Sequence, residues 1–151
     1  MKRMIAFFIV VISLFGIKIF TENNLPNCNF EKLVVVSSSE SLFEGEKLKN
    51  GNHFYYTFNY QQGRGVLNDL KASQIEGVVF YYDNSINVEE LLNTLDFYFK
   101  SKVQIEGIEI FYGYDGDYTD FRYIDGKKIN VQVVINSTNI VMGYPLILCG
   151  Y

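Results

Sequence analysis

From Lys127 onward the chain repeats with period two. Ile129, Val131, Val133 and Ile135 alternate with Asn130, Gln132 and Asn136, "NSTN" turns the chain, and Ile140, Met142, Tyr144, Leu146 and Leu148 run back. Successive side chains of a strand point to opposite faces, so this spacing predicts a hairpin with one face on a core and the other nearer solvent. A second alternation follows Asn50-Gly51, a strong hairpin dipeptide because both residues tolerate positive φ. There Phe54, Tyr56, Phe58 and Tyr60 interleave with His53, Tyr55, Thr57 and Asn59. Four rings on one face and mostly polar groups on the other describe a half-buried strand.

The β-branched run "KLVVVSSS" and "IEGVVFYYD" (75–83) predict two further strands, and Ile108, Ile110 and Tyr112 predict another over 104–113. Residues 113–126 read as a loop. Between 61 and 74, Gly63 and Gly65 read as a turn, with Val66, Leu67 and Leu70 able to line one or two helical turns. The clearest helical period begins at Asn87, which can cap a helix with Glu90 at capping-box spacing. Val88, Leu91, Leu92, Leu95, Tyr98 and Phe99 then form one apolar stripe, and Lys100 and Lys102 follow where a helix dipole favours cations. The expectation is an α+β fold: an antiparallel β-sheet with one main amphipathic helix packed on one face. A chain of 151 residues, 48% hydrophobic and 17% aromatic, has enough apolar material for one such domain over residues 30–151.

Residues 1–20 stand apart. Lys2 and Arg3 precede an apolar run from Met4 to Ile17, the pattern of an export signal and short for a membrane span. No A-x-A site follows, so a cleaved signal peptide and an uncleaved N-terminal anchor both remain open, and only the uncleaved form would touch a membrane. Residues 21–29 read as a linker. Without Lys2, Arg3 and Lys18, the 13 basic residues fall to 10 against 17 acidic ones, a net charge of −7. Such a surface repels phosphate backbones and anionic headgroups, which argues against nucleic-acid and lipid partners. Cys28 and Cys149 could join the ends in an oxidising compartment or stand as two unpaired thiols.

Catalytic constellations are sparse. His53 is the single histidine, with no G-x-S-x-G elbow, so neither a Ser–His–acid nor a Cys–His arrangement is legible. One His and two distant Cys do not make a zinc site. Asp115, Asp117, Asp120 and Asp125 crowd one loop without the register of an EF-hand. No catalytic residue, metal or cofactor is expected. The same loop interleaves its acids with aromatics. Tyr114, Asp115, Asp117, Tyr118, Asp120 and Phe121 therefore form the candidate binding surface, the bland reading being rings folded back over a sheet edge.

The C-terminal residues also carry a resemblance. Asn130-Val131-Gln132-Val133-Val134, then Gly143-Tyr144-Pro145-Leu146-Ile147 and the final Tyr151, with Tyr118-Thr119 in "GDYTDF", resemble the tail of the YwmB-like family of exported Firmicute proteins. The likeness covers about residues 75–151, and Asn136 stands where the family usually has Arg. It implies export, a sheet like that of the TATA-box-binding protein in a unit that can occur twice, and no enzymatic activity. Fold likeness carries no function with it, DNA binding included. The expectation is thus an extracytoplasmic, secreted or membrane-anchored protein of the cell envelope. It would act as a non-enzymatic binding or assembly module for another envelope protein or a cell-wall glycan. The rival expectation is a wall hydrolase working with the loop carboxylates.

Overall fold

Each alternating segment finds its place as a strand beside another. The computed structural model describes residues 29–69, 75–94, 98–116 and 121–147. In chain order these form β1 (Lys32–Ser37), β2 (Lys47–Asn50), β3 (His53–Asn59), helix α1 (Tyr60–Asp69), β4 (Ile75–Asp83), helix α2 (Val88–Thr94), β5 (Tyr98–Ile105), β6 (Ile108–Tyr114), β7 (Arg122–Ile124), β8 (Lys127–Ile129), β9 (Val131–Ile135) and β10 (Asn139–Tyr144). Eight strands make one sheet in the order β2-β3-β1-β4-β10-β9-β6-β5, and β7 pairs with β8 in a separate ribbon. All the sheet's pairings are antiparallel. The protein is α+β, dominated by its sheet.

The chain enters at β1 and folds the β2–β3 hairpin onto one side of it. Helix α1 then carries it across to lay β4 on the other side. After α2 it begins again at the far edge with β5 and works back through β6, β9 and β10 until β10 meets β4. Strand β4 therefore joins the first and last strands. Both of its faces are buried, which is why "VVFYY" is a continuous apolar run and not an alternation.

Both helices lie on one face. Leu33, Val35, Tyr56, Phe80, Tyr82, Met142 and Val133 line it, together with Leu67 of α1 and Leu91 of α2. Tyr56 is fully buried, and its hydroxyl donates to the Ser39 carbonyl at 2.8 Å. Helix α1 starts in a capping box: the Gln62 N–H donates to Asn59 Oδ1 at 3.0 Å, and the Asn59 N–H donates to Gln62 Oε1 at 3.3 Å. Gly63 faces the sheet so closely that a Cβ there would lie 2.9 Å from the Phe30 ring. That ring is held edge-on between Tyr60 (5.1 Å) and Phe80 (5.5 Å).

The second face carries a smaller cluster of Val34, Val36, Val79, Tyr81 and Val141, with Tyr55 and Ile147 beside it. No described helix contributes to that cluster. After β10 the chain turns at a cis Tyr144-Pro145 bond and comes back over this face. Gly143 makes room for it, since a Cβ there would lie 2.6 Å from the Leu146 carbonyl carbon and the Ile147 nitrogen. Gln132, on the same face, accepts the Ile147 N–H at 3.0 Å.

Several expectations need correction. The helix predicted over 87–99 ends at Thr94, although Asn87 does cap it, accepting the Glu89 and Glu90 N–H groups at 3.0 and 3.3 Å. Residues Tyr98–Ile105 form β5 instead, paired with β6 across Glu106-Gly107. Both turn residues have positive φ, as in the hairpin turn that matches strand twist. Backbone pairing thus overrides a helical apolar period, and the described residues hold two helices in place of a single main one. The strand expected over 104–113 begins at Ile108, residues 104–105 belonging to its partner. The loop expected over 113–126 contains β7, which turns at Asp125-Gly126 into β8. Strand β10 stops at Tyr144, so Leu146 does not continue it. Asn130 and Gln132, expected toward solvent, are buried. The leader, Cys28 and Cys149 lie outside the described residues. Among the described residues, no helix is long and apolar enough to cross a membrane.

Candidate binding site

An irregularity in β1–β4 pairing shapes one end of the face on which no described helix packs. Val36 stands opposite Gly77, but Ser37 stands opposite Ile75, so Glu76 is the extra residue of a β-bulge. A bulge re-aims side chains. Here it brings the Glu76 carboxylate to His53 of β3, with Oε2 2.6 Å from Nδ1. Both side chains remain partly exposed. His53 and Tyr55 project from β3 on this side, opposite the buried Phe54 and Tyr56.

These groups line an open depression of about 430 Å³. Val36, Ile75 and Pro145 supply apolar wall, and Arg122 of the β7–β8 ribbon closes the remaining side. The Arg122 guanidinium donates to its neighbour's carbonyl, that of Phe121, at 3.3 Å. It forms no ion pair with a described carboxylate. Glu76 is occupied by His53, which fixes the imidazole through Nδ1 and leaves Nε2 for a ligand. The dyad has the base-and-orienter half of a triad. Among the described residues no serine, threonine or cysteine lines the depression, and the hydroxyl they supply is the Tyr55 phenol. The arrangement is suited to holding a polar or charged group over an apolar floor.

The candidate loop is distributed differently. Tyr114 ends β6, half-buried, with the Lys128 ammonium 6.0 Å from its ring centre. Phe121 lies under the same ammonium at 4.4 Å and meets Tyr123 edge-on at 5.4 Å. Asp115 is buried, and Asn130 clasps its backbone: the Asp115 N–H donates to Asn130 Oδ1, and Asn130 Nδ2 donates to the Asp115 carbonyl, both at 2.7 Å. Asp117, Tyr118 and Asp120 lie outside the described residues. Lys128 thus brings Tyr114 and Phe121 together, and Arg122, one residue beyond the candidate set, reaches the depression. The His53–Glu76 pair was missed because its partners are 23 positions apart and meet only through the bulge. Gly77 just after Glu76 was the available hint, since a glycine in a strand often marks a bulge.

Comparison with protein families, characterised proteins and solved structures finds no match to this chain.

Proposed function

We propose that this chain is an extracytoplasmic, non-enzymatic binding or assembly module of the cell envelope, engaging another envelope protein or a cell-wall glycan through the sheet face that carries the His53–Glu76 pair. The carrying observation is the open depression where His53, Glu76, Tyr55 and Arg122 converge, with no serine, threonine or cysteine among the described residues that line it. A mostly pre-formed hollow with a few polar groups over apolar wall is the usual form of a ligand site. Tyr123, the residue after Arg122 in β7, is 64% exposed and offers a partner an aromatic surface.

Export is supported by the charged and apolar pattern of residues 1–20. The C-terminal likeness to the YwmB-like family, with its TATA-box-binding-protein-like sheet, agrees with this setting. In that likeness Gly143-Tyr144-Pro145 is the piece that turns the tail back over the sheet.

Crosslinking in the native cell tests the reading, with wild type compared against a chain carrying Arg122→Gln and Tyr123→Ala. An envelope partner or glycan captured by the first and lost by the second supports it. Turnover of a wall substrate by the purified chain, abolished by Asp115→Ala or Asp117→Ala without loss of fold, would replace it with the hydrolase that uses the loop carboxylates.

A further inference from the structure

We propose that the depression selects a carboxylate group, with Arg122 as its anchor; this rests on the binding reading above and specifies its ligand. A guanidinium stays charged at any physiological pH and presents a planar fork of donors that matches a carboxylate. Here 17 acidic residues face 13 basic ones, yet Arg122 has no described carboxylate partner and one donor committed to a backbone carbonyl. Among the described residues the one carboxylate lining the depression, Glu76, is held by His53 at 2.6 Å. That contact occupies Glu76, and Arg122 is left for an incoming anion.

The remaining walls narrow the ligand. One guanidinium beside a carboxylate favours a singly charged, flat anion over a phosphate dianion, whose second charge would face Glu76. A cation would need several oxygens; among the described residues Glu76 is the only carboxylate at the depression, and no group of three possible metal ligands converges. Val36, Ile75 and Pro145 offer apolar contact to a ring or aliphatic body beside the acid. About 430 Å³ accommodates one small ring or a dipeptide, near the lower end of ordinary ligand sites.

Such a carboxylate could sit on an acidic sugar or end a peptide, and paired probes separate the two. N-acetylmuramic acid is titrated beside neutral N-acetylglucosamine, and an acetylated dipeptide with a free C-terminus beside its amide. Binding is read from the side-chain resonances of Arg122, His53 and Tyr55 in the purified chain. The acid member of at least one pair should bind roughly tenfold or more tightly than its neutral partner, the value of one charge-assisted contact. Arg122→Gln should erase that preference while the remaining amide spectrum stays unchanged. Equal binding of acid and neutral probes would overturn the carboxylate assignment and leave the depression a binding site. Preference surviving in Arg122→Gln would overturn Arg122 as the anchor. No response of these three residues to any probe would overturn both readings.

Discussion

Two glycines of α1, two residues apart, make a matched test of how the helix meets the sheet. Replacing a helical glycine with alanine stabilises by about 0.5–1 kcal/mol, because the unfolded chain loses freedom. Around Gly65 nothing lies within 4 Å of a new Cβ, so Gly65→Ala should show that gain unopposed. At Gly63 the new methyl would sit 2.9 Å from the Phe30 ring and 3.1 Å from Leu33 Cδ2. Neither neighbour can yield easily: Leu33 is fully buried, and Phe30 is wedged between Tyr60 and Phe80. Overfilling a packed core costs about 1–3 kcal/mol, which offsets or exceeds the helical gain. The two variants should therefore differ by about 1–3 kcal/mol, with Gly63→Ala the less stable. Urea denaturation, with slopes of roughly 1–3 kcal/mol/M for small proteins, would show midpoints separated by on the order of 1 M. In a Phe30→Leu background the separation should shrink, as a double-mutant cycle would record. Equal midpoints for the two alanine variants would refute the close approach of α1 to the sheet.

Asn130→Ala removes both bonds that clasp the Asp115 backbone and should destabilise by about 2–3 kcal/mol in the same assay, a change below 0.5 kcal/mol refuting the clasp. Tyr56→Phe loses the bond to the Ser39 carbonyl and should cost about 1 kcal/mol, with Leu42→Ala near the same segment as a comparison for packing alone. Asp83 is held below the ordinary aspartate value of 3.8, first by the Ser85 hydroxyl and then by the Ser85 N–H, which bonds Oδ1 at 2.7 Å. Its folded value being the lower, the contribution to stability is complete above the unfolded value and is lost as pH falls through the folded one. A carboxyl-carbon NMR titration should find the midpoint below 3.8, and Ser85→Ala should raise it; a wild-type midpoint at or above 3.8 refutes the turn.

Much of this fold is written in local chemistry. The "NSTN" turn forms as read: Asn136 Oδ1 accepts the Thr138 and Asn139 N–H groups at 2.8 and 2.9 Å. Phe54 and Tyr56 face the core as their alternation requires, and the Asn50-Gly51 stretch does turn the β2–β3 hairpin, its loop lying at Gly51 and Asn52. Other local signals were present but unread. The Asn59–Gln62 capping box announces α1, and Glu106-Gly107 and Asp125-Gly126 announce two hairpins. Residues 98–105 show the limit of a periodic reading, since their apolar spacing continues a helix while β6 offers them strand bonds.

Sequence alone determined which segments could become strands, where helices are capped and where the chain turns, because neighbouring residues decide those conformations. Tertiary structure decided the rest: that β4 lies between the first strand and the last, that the tail crosses the sheet at Gly143, and that Glu76 meets His53 within reach of Arg122. Those outcomes depend on register between strands far apart in the chain. A shift of one residue in that register turns a side chain to the opposite face.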